Sequence, residues 1–369
     1  LKILIVTESM AGKGHYKAAE SIAKSIESSK ISHEVKIVNL LPIVSKNLEQ
    51  IVKVIYMTIL KKIPKLWGWM HQRESKFALY FKKIIAYIMI IRLKRFIEIE
   101  KPELIIATHA SGLTALSMLK TKNKYRLAAV FTDYQVNSFW VDKNIDYYFV
   151  AHQEFKTKLI EEYQVNPSKV FVSGIPIDPI FFYSTKRSKI FLADLKKKFR
   201  ILIMGGGFGL GSIKEIICSL NLVKDVPISI TVVTGMNQQL FRELSLLKST
   251  LNVPLKVLKY QEDVFTLMKN NDLLISKAGG LTISEALSVP IPILIYRPLP
   301  GQEEKNSKFL IKMKSVIRIS RLEDIQYWTK YLYYHPNFYL KLIQQEQKIA
   351  KPDSAIYISN ILLNQNKKI

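Results

Sequence analysis

Residues 273–306 read LLISKAGGLTISEALSVPIPILIYRPLPGQEEKN. The apolar run Leu273–Ile275 predicts a buried strand, and Leu281–Leu287 predicts a helix. The turn Ser276-Lys277-Ala278-Gly279-Gly280 joins them. A strand feeding a helix through a glycine turn leaves backbone N–H groups unpaired at the helix start, where phosphate is attracted. Glu285, one turn into the helix, can accept hydrogen bonds from a sugar diol. A second apolar run, Ile291 to Tyr296, leads to Pro300-Gly301-Gln302-Glu303-Glu304, read here as a polar loop suited to hydroxyl groups. Phosphate, ribose and hexose contacts in that order describe a nucleotide-sugar site.

Working outward, strand and helix signals alternate along the chain, which predicts an α/β protein. The first half has strand patterns at Ile3–Val6, Glu34–Val38, Leu104–Ala107, Ala128–Phe131, Tyr147–Val150 and Val170–Val172. Helices are expected from Tyr16 to Ser28, in pieces from Leu48 through Lys94, and around Gly112 to Leu119. The second half repeats the plan with strands at Ile201–Met204, Ser229–Thr234, Leu255–Val257, Leu273–Ile275 and Pro292–Tyr296. Residues 1–179 and 199–340 are thus read as two Rossmann-like domains. Residues 180–198 are read as a linker, and 341–369 as a C-terminal helix returning toward the first domain. Ligands are expected in a cleft at the carboxyl ends of the strands.

Each half opens with a glycine turn after its first strand: Gly12-Lys13-Gly14-His15 in one, Gly205-Gly206-Gly207-Phe208-Gly209-Leu210-Gly211 in the other. Neither has P-loop spacing. The second strand ends at Asn39 rather than at the acidic residue a dinucleotide fold uses for ribose, which argues against a dehydrogenase.

At 369 residues, 48% hydrophobic and 11% aromatic, the chain can build two packed cores. Its single cysteine, Cys218, excludes an internal disulfide and suits a reducing compartment. The opening Leu1–Val6 lacks the charged start of a secretory signal. The apolar run Ile84–Ile91 is far short of the roughly 20 residues that span a bilayer. The net charge of +25 calls for a polyanionic partner. Between Lys53 and Lys101, 12 basic residues face only Glu74, Glu98 and Glu100, amid aromatics that include Trp67 and Trp69. Basic residues mixed with tryptophan and aliphatics describe an interfacial surface, so an anionic membrane is expected and nucleic acid is not. Lys61, Lys62, Lys65, Trp67 and Trp69 are the membrane candidates.

The chain resembles the processive diacylglycerol glycosyltransferases and plant-type monogalactosyldiacylglycerol synthases, in the family 28-like inverting glycosyltransferase group. The resemblance covers most of the chain. It is carried by Gly12–His15 with Ala18-Ala19, Ala107-Thr108-His109, Phe131-Thr132-Asp133, Ser138–Val141, Val172–Ile177, Met204–Gly211, Ser276–Leu287 and Pro300–Glu304. Two departures are Ala278, where the family commonly has proline or serine, and Ala110, where it usually has proline. The resemblance implies a GT-B fold with an acceptor domain first and a UDP-sugar domain second, attachment to a membrane surface, and no obligatory metal or cofactor.

Glycosyl transfer needs a base for the incoming hydroxyl and a stabilised leaving diphosphate. His15 is the candidate base and Asp133 the alternative. Gly12, Gly14, His109 and Trp140 are acceptor-side candidates. On the donor side, Gly205, Gly206, Gly207, Phe208, Gly209, Ser276, Lys277, Gly279, Gly280, Leu281 and Thr282 are expected around the diphosphate. Glu285 is assigned to ribose, and Gln302 and Glu303 to the hexose. The expected reaction moves glucose or galactose from UDP to diacylglycerol or a glycosyl-diacylglycerol at the cytoplasmic face of the cell membrane. A same-fold transferase with another lipid or small hydrophobic acceptor, and a non-enzymatic nucleotide-sugar or polyanion-binding protein, are the alternatives.

Overall fold

Two six-stranded, all-parallel sheets organise the computed structural model. It describes residues 1–9, 13–45, 76–121, 124–183 and 198–364, together with the isolated helical positions 50, 54 and 58. The chain divides into two units. The first is built mainly from Leu1–Pro179 and Asp353–Ile369, the second mainly from Ile180–Leu299 and Glu303–Pro352.

In the first unit the strands are β1 (Lys2–Thr7), β2 (Glu34–Asn39), β3 (Leu104–Ala107), β4 (Arg126–Val130), β5 (Tyr147–Val150) and β6 (Val170–Val172), in the order β2-β1-β3-β4-β5-β6. β3 and β5 are unbroken apolar runs, and β1 is apolar from Ile3 to Val6, because helices cover both faces of a parallel sheet. Helices α1 (Gly14–Glu27), α2 (Leu40–Val44), α3 (Lys76–Glu100), α4 (Leu113–Lys120) and α5 (Gln153–Glu161) connect them. On α1, Ala18, Ala19, Ile22, Ala23 and Ile26 recur at helical spacing and are buried.

The second unit begins with α6 (Ile180–Tyr183), so residues 180–183 are helical and belong to this unit rather than to a linker. Its elements continue as β7 (Phe199–Met204), α7 (Ile213–Leu220), β8 (Ile228–Val233), α8 (Gln238–Leu247), β9 (Leu255–Leu258), α9 (Val264–Lys269), β10 (Leu273–Ser276), α10 (Gly280–Ser288), β11 (Ile293–Tyr296), α11 (Gln302–Lys312), β12 (Ile317–Ile319), α12 (Leu322–Tyr334) and α13 (Pro336–Ile349). The sheet order is β12-β11-β10-β7-β8-β9. A last helix, α14 (Ser354–Asn364), belongs to the first unit, where it packs on α1. Ile358 and Leu362 enter the core beside Ile22 and Ile26, and the Ser25 and Ser359 hydroxyls are 2.7 Å apart.

The stretch 341–369, read as one helix, divides between α13 of the second unit and α14 of the first. The structure corrects the sequence reading at three further places. The helix expected to end near Lys94 runs on to Glu100, because Leu93 and Ile97 keep its buried stripe in phase, and Lys101 stops it in a left-handed conformation at φ 46°. Pro300–Glu304 is not wholly loop: Gln302 and Glu303 open α11. β12 was not anticipated, being three residues long with Arg318 exposed at its centre.

In the second unit, β7 and β10 are clamped at their amino ends. Asp272, fully buried, accepts the Arg200 backbone N–H at 2.9 Å and the guanidinium Nε and Nη2 at 2.8 and 2.9 Å. Asp272→Ala strands a buried amide while Arg200 can turn to water. It should therefore cost about 2–3 kcal/mol, below the full price of breaking a buried pair. Urea unfolding should show a lower midpoint; an unchanged midpoint would mean the clamp adds nothing.

Candidate active site residues in the two units

Each sheet reverses its winding beside its first strand. In the first unit the switch lies between β1 and β3, in the second between β7 and β10. Loops leaving the carboxyl ends of such strands diverge, and ligands bind in the gap. The sequence candidates gather at these two places.

In the second unit, Gly205–Gly211 follows β7. The carbonyl of Gly205 accepts the Leu210 N–H at 3.0 Å, that of Gly206 the Gly209 N–H at 3.0 Å, and that of Gly207 the Met236 N–H at 2.9 Å. The peptides are trans, so the N–H on the far side of each pinned carbonyl points the opposite way. The amides of Gly206, Gly207 and Phe208 are therefore turned away from these contacts, as an anion-binding turn requires. The Gly209 N–H is spent inside the turn, which removes it from the expected phosphate donors. Gly209 instead matters for space: at φ +57°, a Cβ there would sit 2.1 Å from the Thr234 carbonyl oxygen.

The Ser276–Gly280 turn follows β10, next to β7. Gly279 is the N-cap of α10 and makes no side-chain cap, so the first-turn amides of Gly280, Leu281 and Thr282 have no capping side chain over them. Ser276, expected near the diphosphate, is the last residue of β10. Its hydroxyl donates to the Met204 carbonyl at 2.9 Å and ties the two strand ends together. Asn306, fully buried, donates to the Ala278 carbonyl at 3.0 Å and holds the turn from behind. Glu285 is half-buried in the second turn of α10. Lys277 and Glu303 are ion-paired with each other, and the second Glu303 oxygen accepts the Leu299 N–H at 2.9 Å.

In the first unit, three threonines stand at the ends of neighbouring strands: Thr7, Thr108 and Thr132. The Thr108 hydroxyl lies 2.8 Å from that of Thr7 and 3.0 Å from the His15 carbonyl. His15 Nδ1 lies 3.2 Å from the Thr108 carbonyl and 2.6 Å from the Thr132 hydroxyl. A carbonyl only accepts, so Nδ1 carries the proton and Nε2 keeps its lone pair. Burial lowers the His15 pKa to about 4, so the ring is neutral at physiological pH.

His109 stands edge-on to His15, with ring centroids 4.6 Å apart. Its Nδ1 accepts the Ser111 N–H at 3.1 Å, and the Ser111 hydroxyl reaches Glu8, a buried carboxylate that also accepts the Leu41 N–H at 3.0 Å. Burial first, and then the neighbouring His15, hold the His109 pKa well below the usual imidazole range. Trp140 is buried and stacked on Phe131 at 4.7 Å, while its neighbour Phe139 is exposed. Asp133 follows β4 and is half-buried.

Sequence reasoning did not single out Thr108, Thr132, Glu8 or Asn306 as site residues. A threonine after each of three adjacent strands was a visible signal. The Glu8 and Asn306 contacts reach across 103 and 28 residues and left no local trace. Gly14 opens α1. Gly12, Lys61, Lys62, Lys65, Trp67 and Trp69 lie outside the described residues. Among the described residues, no group of three His, Cys, Asp or Glu side chains is placed to hold a metal ion, and no helix is long and apolar enough to cross a membrane.

The low His15 pKa predicts two pH effects. The unfolded chain takes up this proton near pH 6.5 and the folded one only near 4. Stability from neutral His15 is therefore complete above about pH 6.5 and lost as pH falls toward 4. If His15 must be unprotonated for turnover, the acid limb of kcat/KM should lie near pH 4 rather than 6.5. A pH–rate profile, with folding followed by near-ultraviolet circular dichroism, checks this. An acid limb at 6.5 in folded protein would contradict the half-buried, neutral imidazole.

Comparison with known proteins places this geometry. Residues 15–177 match the monogalactosyldiacylglycerol (MGDG) synthase family, and residues 200–321 match the glycosyltransferase family 28 C-terminal domain. The processive diacylglycerol beta-glucosyltransferase of Bacillus pumilus is 33% identical over 88% of this chain and 84% of its own length. That of Bacillus subtilis is 31% identical over 88% and 85%. Among solved structures, MurG of Acinetobacter baumannii superposes with a TM-score of 0.65 at 14% identity, covering 98% of this chain and 99% of its own. The UDP-GlcNAc 2-epimerase of Neisseria meningitidis, solved with UDP-GlcNAc, gives 0.62 at 17% identity over 99% and 100%. The structural likenesses establish the GT-B fold, and the sequence matches establish that the chain belongs to the processive diacylglycerol glycosyltransferase family, whose members are UDP-sugar-dependent hexosyltransferases.

Proposed function

We infer that the chain transfers a hexosyl group from UDP-glucose or UDP-galactose to diacylglycerol or a glycosyl-diacylglycerol, with inversion, on the cytoplasmic face of an anionic membrane. The observation that carries this reading is the β7/β10 switch point. Two backbone elements suited to a diphosphate stand there side by side, with Glu285 one helical turn further on.

In the proposed reaction, His15 Nε2 takes the proton of the acceptor hydroxyl as its oxygen attacks the anomeric carbon. The bond from that carbon to the diphosphate oxygen breaks, and UDP leaves with the electron pair. A neutral imidazole with so low a pKa gains basicity over the hydroxyl only as the acceptor oxygen commits to bonding, so proton transfer accompanies attack. The amides of residues 206–208 and 280–282 and the Lys277 ammonium would stabilise the leaving diphosphate. Thr108 and Thr132 would keep the His15 lone pair on Nε2. His109, edge-on to His15, is the acceptor-side candidate whose ring meets it.

Membrane attachment is supported by the outer face of α3. Ile84, Tyr87, Ile88 and Ile91 are exposed at helical spacing, with Lys83, Arg92, Lys94 and Arg95 exposed beside them. An apolar stripe edged with cations suits the headgroup region of an anionic bilayer. Ile88→Ser with Ile91→Ser should lower flotation with phosphatidylglycerol vesicles by about tenfold, and raised salt should release much of the wild type. Equal flotation of wild type and variant would remove α3 from the interface.

The reaction itself is tested by incubating the protein with labelled UDP-glucose or UDP-galactose and diacylglycerol vesicles, then separating the lipids. Labelled glycolipid is expected from at least one donor; label in neither lipid would overturn the reading. Glu285→Ala should weaken UDP binding by about ten- to a hundredfold, the loss of a charge-assisted hydrogen bond. Unchanged UDP affinity by calorimetry would take Glu285 out of the ribose site.

A further inference from the structure

The geometry points to the Lys277–Glu303 ion pair as the element that discriminates the donor UDP-hexose from the spent nucleotide UDP, with Glu303 opposing the bare nucleotide and favouring the sugar-bearing one. This rests on the nucleotide-sugar reading above. Lys277 leaves β10 and Glu303 stands in the first turn of α11, and their charged groups meet with side chains only 18% and 11% exposed. The lysine stem lies across the glycine turn: a Cβ on Gly206 would come within 3.0 Å of Lys277 Cε and 3.6 Å of its Nζ. The ammonium is therefore parked beside the turn whose amides of residues 206–208 suit an anion, and a carboxylate holds it there.

A nucleoside diphosphate entering that turn changes the balance. It carries more negative charge than one carboxylate, so Lys277 shifts its hydrogen bonds toward it. Glu303 then loses its cation, and a largely buried carboxylate left without its partner is costly. For UDP alone this broken pair is an uncompensated cost. For UDP-hexose it is offset, because a carboxylate separated from its lysine can accept hydrogen bonds from sugar hydroxyls. The Leu299 N–H, held by the other Glu303 oxygen, fixes the carboxylate in position for either role. Product release is the consequence: once the hexose has gone, Glu303 reclaims Lys277 and UDP is expelled.

The test is calorimetry of UDP and of UDP-glucose and UDP-galactose on Glu303→Gln. Glutamine keeps an acceptor for the Leu299 N–H but removes the charge. The variant should bind UDP about three- to tenfold more tightly than wild type, while the better UDP-hexose loses about tenfold. Lys277→Met should weaken UDP, and in the double variant Lys277→Met/Glu303→Gln the gain from removing Glu303 should shrink toward nothing. UDP affinity unchanged or weakened in Glu303→Gln overturns the inference, as does a gain that persists in full without Lys277. If Glu303→Gln does not fold, Glu303→Asp, which keeps the charge but withdraws it from Lys277, should weaken UDP-hexose more than UDP; equal losses overturn the inference. Wild-type protein that binds neither UDP nor either UDP-hexose would instead bring down the nucleotide-sugar reading itself.

Discussion

The parallel pairing of β7 with β10 is the constraint on which the donor side depends. The two strands are neighbours in the sheet but far apart in the chain, and the crossovers on either side of them wind in opposite directions. Their register is held at both ends, by the Arg200–Asp272 clamp at one and by the Ser276 hydroxyl on the Met204 carbonyl at the other. That register brings the turn after β7 and the turn after β10 to the same edge. A slip would separate Lys277 from Gly206 and the two sets of amides from each other. The chemistry of this end is therefore set by sheet pairing more than by any single polar side chain.

The first unit solves a different problem with related means. A histidine that is to act as a base needs one nitrogen committed and one left open. A carboxylate often does this by holding the proton on the other nitrogen, and it also raises the pKa. Here the partners are a carbonyl and a hydroxyl, both uncharged, at the ends of β3 and β4. The tautomer is fixed without added negative charge, and burial then drives the pKa down. Glu8, the nearby buried carboxylate, serves the Leu41 amide and the Ser111 hydroxyl instead.

Much of this was legible in the sequence for a physical reason. Strands buried on both faces read as continuous apolar runs, so β3 and β5 were bounded to the residue, as was the edge strand β6, and the other anticipated strands to within one or two. The glycine run after β7 marked a turn too tight for side chains at Gly205 and Gly209. What escaped detection was short or non-local. β12 has three residues and an exposed arginine at its centre. The helical start at Gln302 was hidden by the preceding Pro-Gly. The burial of Trp140 against Phe131 was likewise invisible in the local sequence. The pairing of Lys277 with Glu303 spans 26 residues and two elements, and no spacing rule brings those charges together.

The return of α14 to α1 decides how this chain can be dissected. A fragment ending at Pro179 would keep all six strands of its sheet yet lose Ile358 and Leu362 from its core, along with the hydroxyl contact between Ser25 and Ser359 and the bond from Arg126 Nη1 to the Leu362 carbonyl. The part of α1 that α14 covers, Ser25 included, would meet water. Recombinant work on the first unit therefore calls for a fused or co-expressed tail from Asp353 onward. Exchange of halves between related enzymes has its natural junctions at two positions, not one.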